Sequence, residues 1–170
     1  VYEKDKGPNT GGMGAYSPAP IVSKELENKI ISKIIKPTLN ALSKKKKSYT
    51  GFLYAGLMIK NNEPYLIEYN IRMGDPECQV ILPRLKTDIV EIFKKSVSNN
   101  LKNINIKWSK QKSMTIVLCT KGYPGNYRKN LKISNINKLK LSKKDFIYHA
   151  GTKYINNDLI SFGGRVLNIT

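Results

Sequence analysis

The chain has 170 residues and a 40% hydrophobic composition, enough for one domain or two small ones with a true core. No apolar run approaches a membrane span and no secretory leader is visible, so a cytoplasmic protein without a membrane partner is expected. A net charge of +18 ordinarily points to nucleic acid, but the excess is nearly all lysine and travels with abundant Asn and Ile throughout. That pattern reads as compositional bias, and no nucleic-acid partner is expected. A basic nucleic-acid-binding module stands as the alternative from another class.

Cys78 and Cys119 have neither metal-site nor disulfide-framework spacing and read as reduced thiols. His149 is the one histidine, which argues against a site built on several imidazoles. The chain opens at Val1 in polar sequence and stops at Thr170 just after a strand-like run. Both ends read as cut, so a fragment is expected.

Residues 7–20, G-P-N-T-G-G-M-G-A-Y-S-P-A-P, hold four glycines and three prolines, a density expected to forbid a regular element. Gly11, Gly12 and Gly14 allow positive φ or close passage of backbone beside a ligand, and exposed N–H groups can bind anionic oxygens. Met13, Ala15 and Tyr16 look buried, so an ordered loop is expected rather than a linker. It is not a Walker loop, because no Gly-Lys-Ser/Thr follows.

Ser23 reads as an N-cap with Glu25 and Glu27 in the first turn, followed by helix-spaced Leu26, Ile30, Ile31, Ile34, Ile35, Leu39 and Leu42. Pro37 should kink or divide that helix, since it lacks the N–H that would bond back to Lys33. The run Lys44 to Lys47 sits where the helix should end and where cations favour its dipole. Residues 49–60 read as a long strand covered on both faces. The turn Asn61-Asn62-Glu63-Pro64 leads into a second strand from Tyr65, making an antiparallel hairpin. Gly56, in mid-strand, marks a close approach of ligand or backbone.

In Y-L-I-E-Y-N-I-R-M-G-D-P-E-C (65–78) alternation puts Leu66, Glu68, Asn70 and Arg72 on one face and Ile67, Tyr69 and Ile71 on the other. A carboxylate, an amide oxygen and a guanidinium in a row suit Mg²⁺, which one or two protein oxygens and substrate phosphates usually hold. Arg adds a planar fork for phosphate or carboxylate. Taken alone, E-x-N-x-R serves equally well as a solvated face whose charges pair with one another. Gly74-Asp75-Pro76-Glu77 follows as a turn with two more carboxylates.

From 78 to 97 the apolar spacing suggests helix interrupted near Pro83, and a domain boundary is placed near residue 103. Beyond it come short strands at 114–120, 146–150, 153–155, 159–162 and 165–169. Turns are expected at 122–125, at 156–158, where it closes a hairpin, and at Gly163-Gly164, where it closes another. The expected class is α+β, with residues 1–103 forming one part and 104–170 a small all-β module.

Together these segments resemble the glycinamide ribonucleotide synthetase (phosphoribosylamine–glycine ligase) family. The resemblance rests on residues 7–20, G-F-L-Y-A-G-L-M at 51–58, L-I-E-Y-N-I-R-M-G-D-P-E at 66–77 and L-K-T-D-I-V-E at 85–91. It continues in G-Y-P-G-N-Y-R-K at 122–129, H-A-G-T at 149–152 and G-G-R-V-L at 163–167, in the family's order. It implies the C-terminal half of an ATP-grasp fold, an antiparallel sheet with helices, followed by most of the C-terminal domain. It also implies a purine-biosynthetic ligase in which ATP phosphorylates glycine to glycyl phosphate, which the amine of 5-phosphoribosylamine then attacks.

The resemblance further implies Glu68 and Asn70 as ligands of Mg²⁺ or Mn²⁺, with Glu68 also at the ATP phosphates. Met58 and Ile67 would flank the adenine. Arg72 would meet the transferring phosphate or the glycine carboxylate, and Asp75 and Glu77 would lie at the acceptor side. Asn9, Thr10, Gly11, Gly12, Met13 and Gly14 would shape the glycine and phosphoribosylamine pocket. An acidic metal ligand common on the preceding strand in ATP-grasp proteins falls by register near Gly56 here, leaving the Glu68/Asn70 pair. His149 is expected to be a hydrogen-bonded structural residue, and Arg165 is given no contact. A fragment lacking the other half of the clamp should bind ATP weakly, catalyse nothing alone and expose an aggregation-prone surface. Fusion to, or association with, other purine-pathway enzymes is a further expectation. Another ATP-grasp carboxylate–amine ligase and a non-catalytic scaffold are the competing readings.

Overall fold

In the computed structural model, which describes residues 2–170, the chain forms two compact units, each assembled from separated segments. One comprises residues 18–74 and 85–110; the other comprises residues 1–17, 75–84 and 111–170. Helices accompany antiparallel sheets, the α+β class expected from sequence.

The first unit is built on a helix and a hairpin. Helix α1 (Lys24–Ile30) starts where Ser23 Oγ accepts the Leu26 N–H at 3.1 Å, the expected cap. Pro37 does not break the helix. The preceding turn, Ile31–Ile35, widens to a π-helical turn in which Lys36 N–H reaches Ile31 O, and α2 (Lys36–Lys44) continues with the proline in its first turn. The Ile34 carbonyl accepts from Thr38 Oγ1 (2.9 Å) and Tyr69 Oη (3.1 Å), and the two hydroxyls contact each other at 2.8 Å. Helix and hairpin are thereby joined around buried Leu26 and Ile34.

The hairpin pairs β2 (Tyr54–Lys60) with β3 (Glu63–Asn70). Asn61 and Asn62, at φ 52° and 59°, form its two-residue turn, the conformation that asparagine tolerates best after glycine. Glu63 and Pro64, expected in the turn, belong to the strand. Conversely, residues 49–53 lie outside β2: Gly51 has φ +142° and Tyr49 Oη donates to the Phe52 carbonyl, so the chain there is bent rather than extended. Strand β2, expected to be covered on both faces, leaves Met58 exposed, and Tyr65, Leu66 and Ile67 of β3 are exposed beside it. A short helix α4 (Ile89–Val97), capped by Asp88 Oδ1 accepting from Val90 N, presents Phe93 edge-on to Phe52 at 5.9 Å.

The second unit carries a four-stranded antiparallel sheet in the order β1-β4-β8-β5, from Gly14–Ser17, Ser113–Cys119, Arg165–Ile169 and Ile147–His149. Strand β1 corrects the expectation that residues 7–20 hold no regular element: G-A-Y-S at 14–17 extends and pairs with 113–116. Gly14 is needed there, because a Cβ would lie 3.0 Å from the Thr115 carbonyl. Val117, Val166, Thr115 and Asn168 are buried on this sheet, and Val80 of helix α3 (Glu77–Ile81) is buried with them. Pro83 follows in a short 3₁₀ turn, Leu82–Arg84, so the expected 78–97 helix is divided where the proline falls.

Strands β6 (Thr152–Ile155) and β7 (Asp158–Ser161) form a separate hairpin across Asn156-Asn157, both at positive φ, as expected. Gly163-Gly164 is not a second hairpin turn. Strand β7 pairs with β6 whereas β8 pairs with β4 and β5, so the two glycines carry the chain from one sheet to the other. The reason is a backbone crossing: Gly151 donates its N–H to Arg165 O and accepts from Phe162 and Gly163, leaving no room for a side chain. No helix is long and apolar enough to cross a membrane among the described residues.

Candidate functional site

The hairpin face forms the first cluster. Its ladder contains a bulge: Gly56 stands opposite Glu68 and Leu57 opposite Leu66, so Ile67 is an extra residue. The bulge corrects the face assignment made from alternation. Leu66 shares a face with Leu57, not with Glu68, and Arg72 and Ile71 lie beyond the end of the strand. Glu68 and Asn70 keep their common face, and Asn70 Nδ2 donates to Glu68 Oε1 at 3.0 Å.

Gly56 keeps that face open, since a Cβ there would sit 3.0 Å from Glu68 Cγ. Met58, two residues along β2, shares the Gly56 face and is exposed; Ile67 is 65% exposed. Arg72 turns its Nη1 to the Met73 carbonyl at 2.9 Å. Among the described residues no group of three or more His, Cys, Asp or Glu could hold a metal by itself. The fit is instead to a hard cation that takes a carboxylate and an amide oxygen from the protein and its other ligands from water and phosphate.

The second cluster lies in the other unit and joins the Gly-rich loop to the Asp75 turn, where the Asp75–Pro76 peptide is cis. Asp75 Oδ1 accepts from Gln79 Nε2 at 2.8 Å, and Oδ2 pairs with Arg165 Nη2 at 2.8 Å. Arg165 Nη1 also donates to the Gly12 carbonyl at 3.1 Å and to the Asp75 carbonyl at 3.0 Å. Gly11 lies against the guanidinium, and a Cβ on Gly12 would overlap the Pro76 ring. Neither glycine, nor Gly14, has positive φ; these residues are small because protein groups pass close to them.

Met13 O accepts from Val117 N, anchoring the loop to β4, while Asn9 is exposed and Thr10 half-buried. Glu77 begins α3. Burial raises the Cys78 thiol pKa, with the Asp75 charge adding to it, and burial likewise raises that of Tyr148. His149 Nδ1 meets Thr152 Oγ1 at 3.0 Å, the expected structural contact.

Arg165, Gln79 and Gly151 were not found from sequence. The visible signal was an arginine directly after two glycines, but its partner Gly12 is 153 residues away.

Two family models match: the phosphoribosylglycinamide synthetase ATP-grasp (A) domain over residues 1–78 and the phosphoribosylglycinamide synthetase C domain over residues 113–170. A phosphoribosylamine–glycine ligase of Caldanaerobacter subterraneus subsp. tengcongensis is 45% identical over 169 residues, covering 99% of this chain and 40% of that protein. The cowpea (Vigna unguiculata) protein of the same name is 45% identical, covering 100% of this chain and 56% of its own. The crystal structure of phosphoribosylamine–glycine ligase from Thermotoga maritima superposes with a TM-score of 0.75 at 33% identity, over 97% of this chain and 40% of that one. The chain thus spans about half or less of the length of these relatives. With both domain models matched in order and the fold shared, the chain belongs to the phosphoribosylglycinamide synthetase family.

Proposed function

We propose that this chain serves the ATP-dependent ligation of glycine to 5-phosphoribosylamine, giving glycinamide ribonucleotide, ADP and phosphate. The observation that carries the reading is the Glu68–Asn70 pair, hydrogen-bonded on one hairpin face opposite a glycine. In the reaction a glycine carboxylate oxygen takes the γ-phosphoryl group from ATP and ADP leaves. The amine of phosphoribosylamine then attacks the acyl carbon, phosphate leaves and the amine gives up a proton.

Such a reaction needs positioning and charge neutralisation more than a protein nucleophile. Glu68 and Asn70 would hold Mg²⁺ or Mn²⁺, which would supply charge neutralisation for phosphoryl transfer. Arg72 supplies a guanidinium to the transferring phosphate or the glycine carboxylate, and Met58 and Ile67 flank the adenine. Asp75 and Glu77 orient the acceptor amine, and residues Asn9 to Gly14 line the substrate pocket. The names of the relatives support the substrates, and the gap between the two family models, 78 to 113, supports a domain boundary near residue 103. We further place the protein in the cytoplasm, in association with other enzymes of purine synthesis.

The test uses the complete open reading frame that carries this chain. ADP release should depend on both glycine and phosphoribosylamine, and Glu68→Ala should abolish it. Activity that survives Glu68→Ala would remove the metal assignment, and ADP release with other carboxylates but not glycine would indicate a different carboxylate–amine ligase.

A further inference from the structure

Two sequence motifs, H-A-G-T at 149–152 and G-G-R-V-L at 163–167, have no role in the proposed ligation. In the structure they form one device. The backbone of Gly151 crosses that of Gly163 so closely that a Cβ on Gly151 would lie 2.5 Å from Gly163 Cα and 2.6 Å from the Arg165 carbonyl. Hydrogen bonds lock the crossing: Gly151 N to Arg165 O at 2.9 Å, Ala150 N to Val166 O at 3.0 Å and Phe162 N to Gly151 O at 2.7 Å. At the same place the β4–β8 ladder shifts register, with Cys119 opposite Arg165 and Leu118 opposite Leu167. Arg165 thus leaves the sheet from a backbone fixed on both sides.

Its guanidinium then holds three acceptors, the Gly12 carbonyl, the Asp75 carbonyl and the Asp75 carboxylate. The Arg165 side chain is 24% exposed, whereas that of Asp75 is 46% exposed. With one carboxylate oxygen on Arg165 and the other on Gln79, the direction of the carboxylate is set. Each oxygen retains a lone pair, and the group is half open to solvent. A carboxylate held in this way is preorganised to accept a hydrogen bond from an amine or hydroxyl.

We propose that Arg165 is a positioning residue for the acceptor amine: it fixes Asp75 and the Gly11-Gly12 backbone as one unit, and the two glycine motifs aim it. This rests on the ligase reading above and deepens it. A purely structural Arg–Asp pair would stabilise the unit without bearing on any one substrate.

Steady-state kinetics on the complete open reading frame separate these roles, with ATP, glycine and phosphoribosylamine varied in turn for the wild type, Arg165→Ala and Arg165→Lys. Loss of hydrogen bonds to a charged partner should raise KM for phosphoribosylamine roughly tenfold to hundredfold in Arg165→Ala. KM for ATP should stay within about twofold. Arg165→Lys keeps the charge and a donor but not the fork, and should recover part of the loss. An unchanged KM for phosphoribosylamine overturns the proposal. So does a uniform rise in all three KM values that tracks a fall in melting temperature and is not relieved by lysine. If the wild type itself shows no glycine-dependent ADP release, the ligase reading fails and this inference with it.

Discussion

Gly56 and Gly151 are both glycines because something approaches closely, yet replacing them should have opposite consequences. At Gly56 the near atom is Glu68 Cγ, at 3.0 Å from an added Cβ, and a side chain can give by a few tenths of an ångström. Gly56→Ala should therefore leave the melting temperature nearly unchanged while moving the proposed metal ligand. A metal titration of ADP release should show a severalfold higher Mg²⁺ requirement. At Gly151 the near atoms are Gly163 Cα and the Arg165 carbonyl, which are backbone and cannot rotate away. Gly151→Ala should cost about 1–3 kcal/mol of stability, the usual range for overpacking, seen as a lower denaturant midpoint. A midpoint equal to the wild type would mean that the crossing is looser than the contacts imply.

At the scale of elements, the helix and hairpin of the first unit are tied at two places, the Tyr69–Thr38–Ile34 hydrogen bonds and an ionic cluster around Glu63. Lys33 Nζ lies 2.6 Å and Lys29 Nζ 2.9 Å from the Glu63 carboxylate, and Lys29 also meets Glu25 at 3.1 Å. The hydrogen bond from Lys33, then that from Lys29, holds the Glu63 pKa below its ordinary value of 4.5. A depressed carboxylate pKa contributes stability above the unfolded value and loses it as pH falls through the folded one. Glu63→Gln should therefore lower the melting temperature slightly at pH 7, with the difference closing as pH falls below the ordinary value of 4.5 and shrinking in high salt. Thermal melts across pH at two ionic strengths check this.

What the sequence foretold at this scale was local. The Ser23 cap, the Asn-Asn turns of both hairpins and the division at Pro83 each depend on residues a few positions apart. The misses were set by partners far along the chain or by packing. Strand β1 exists because 113–116 pair with it, and Gly163-Gly164 change sheets because Gly151 blocks a hairpin. The bulge at Ile67 is invisible to a period-two reading, which it interrupts. The π turn before Pro37 likewise replaces the kink that helical hydrogen bonding alone would give. For the site, the Glu68–Asn70 pair was readable because two positions apart on a strand means one face. The Arg165 clamp was not, because its partners lie 90 and 153 positions away.

At the scale of the molecule, neither compact unit is a continuous stretch of chain; each is interrupted by segments of the other. The sheet of the second unit seats its earliest strand beside a middle one, which in turn pairs with the last. The order of synthesis then matters. The Gly-rich loop leaves the ribosome long before Arg165, which is 153 residues later than Gly12. At about 5–20 residues per second that is a wait of roughly 8–30 s. For the first part of that interval the loop lacks its neighbouring strand β4, and for all of it the Arg165 clamp, and it is open to proteases and chaperones. A nascent chain stalled before β8 should expose the loop to cleavage, and one released after it should not. A strand made more than a hundred residues later thus completes the setting of the Gly-rich loop.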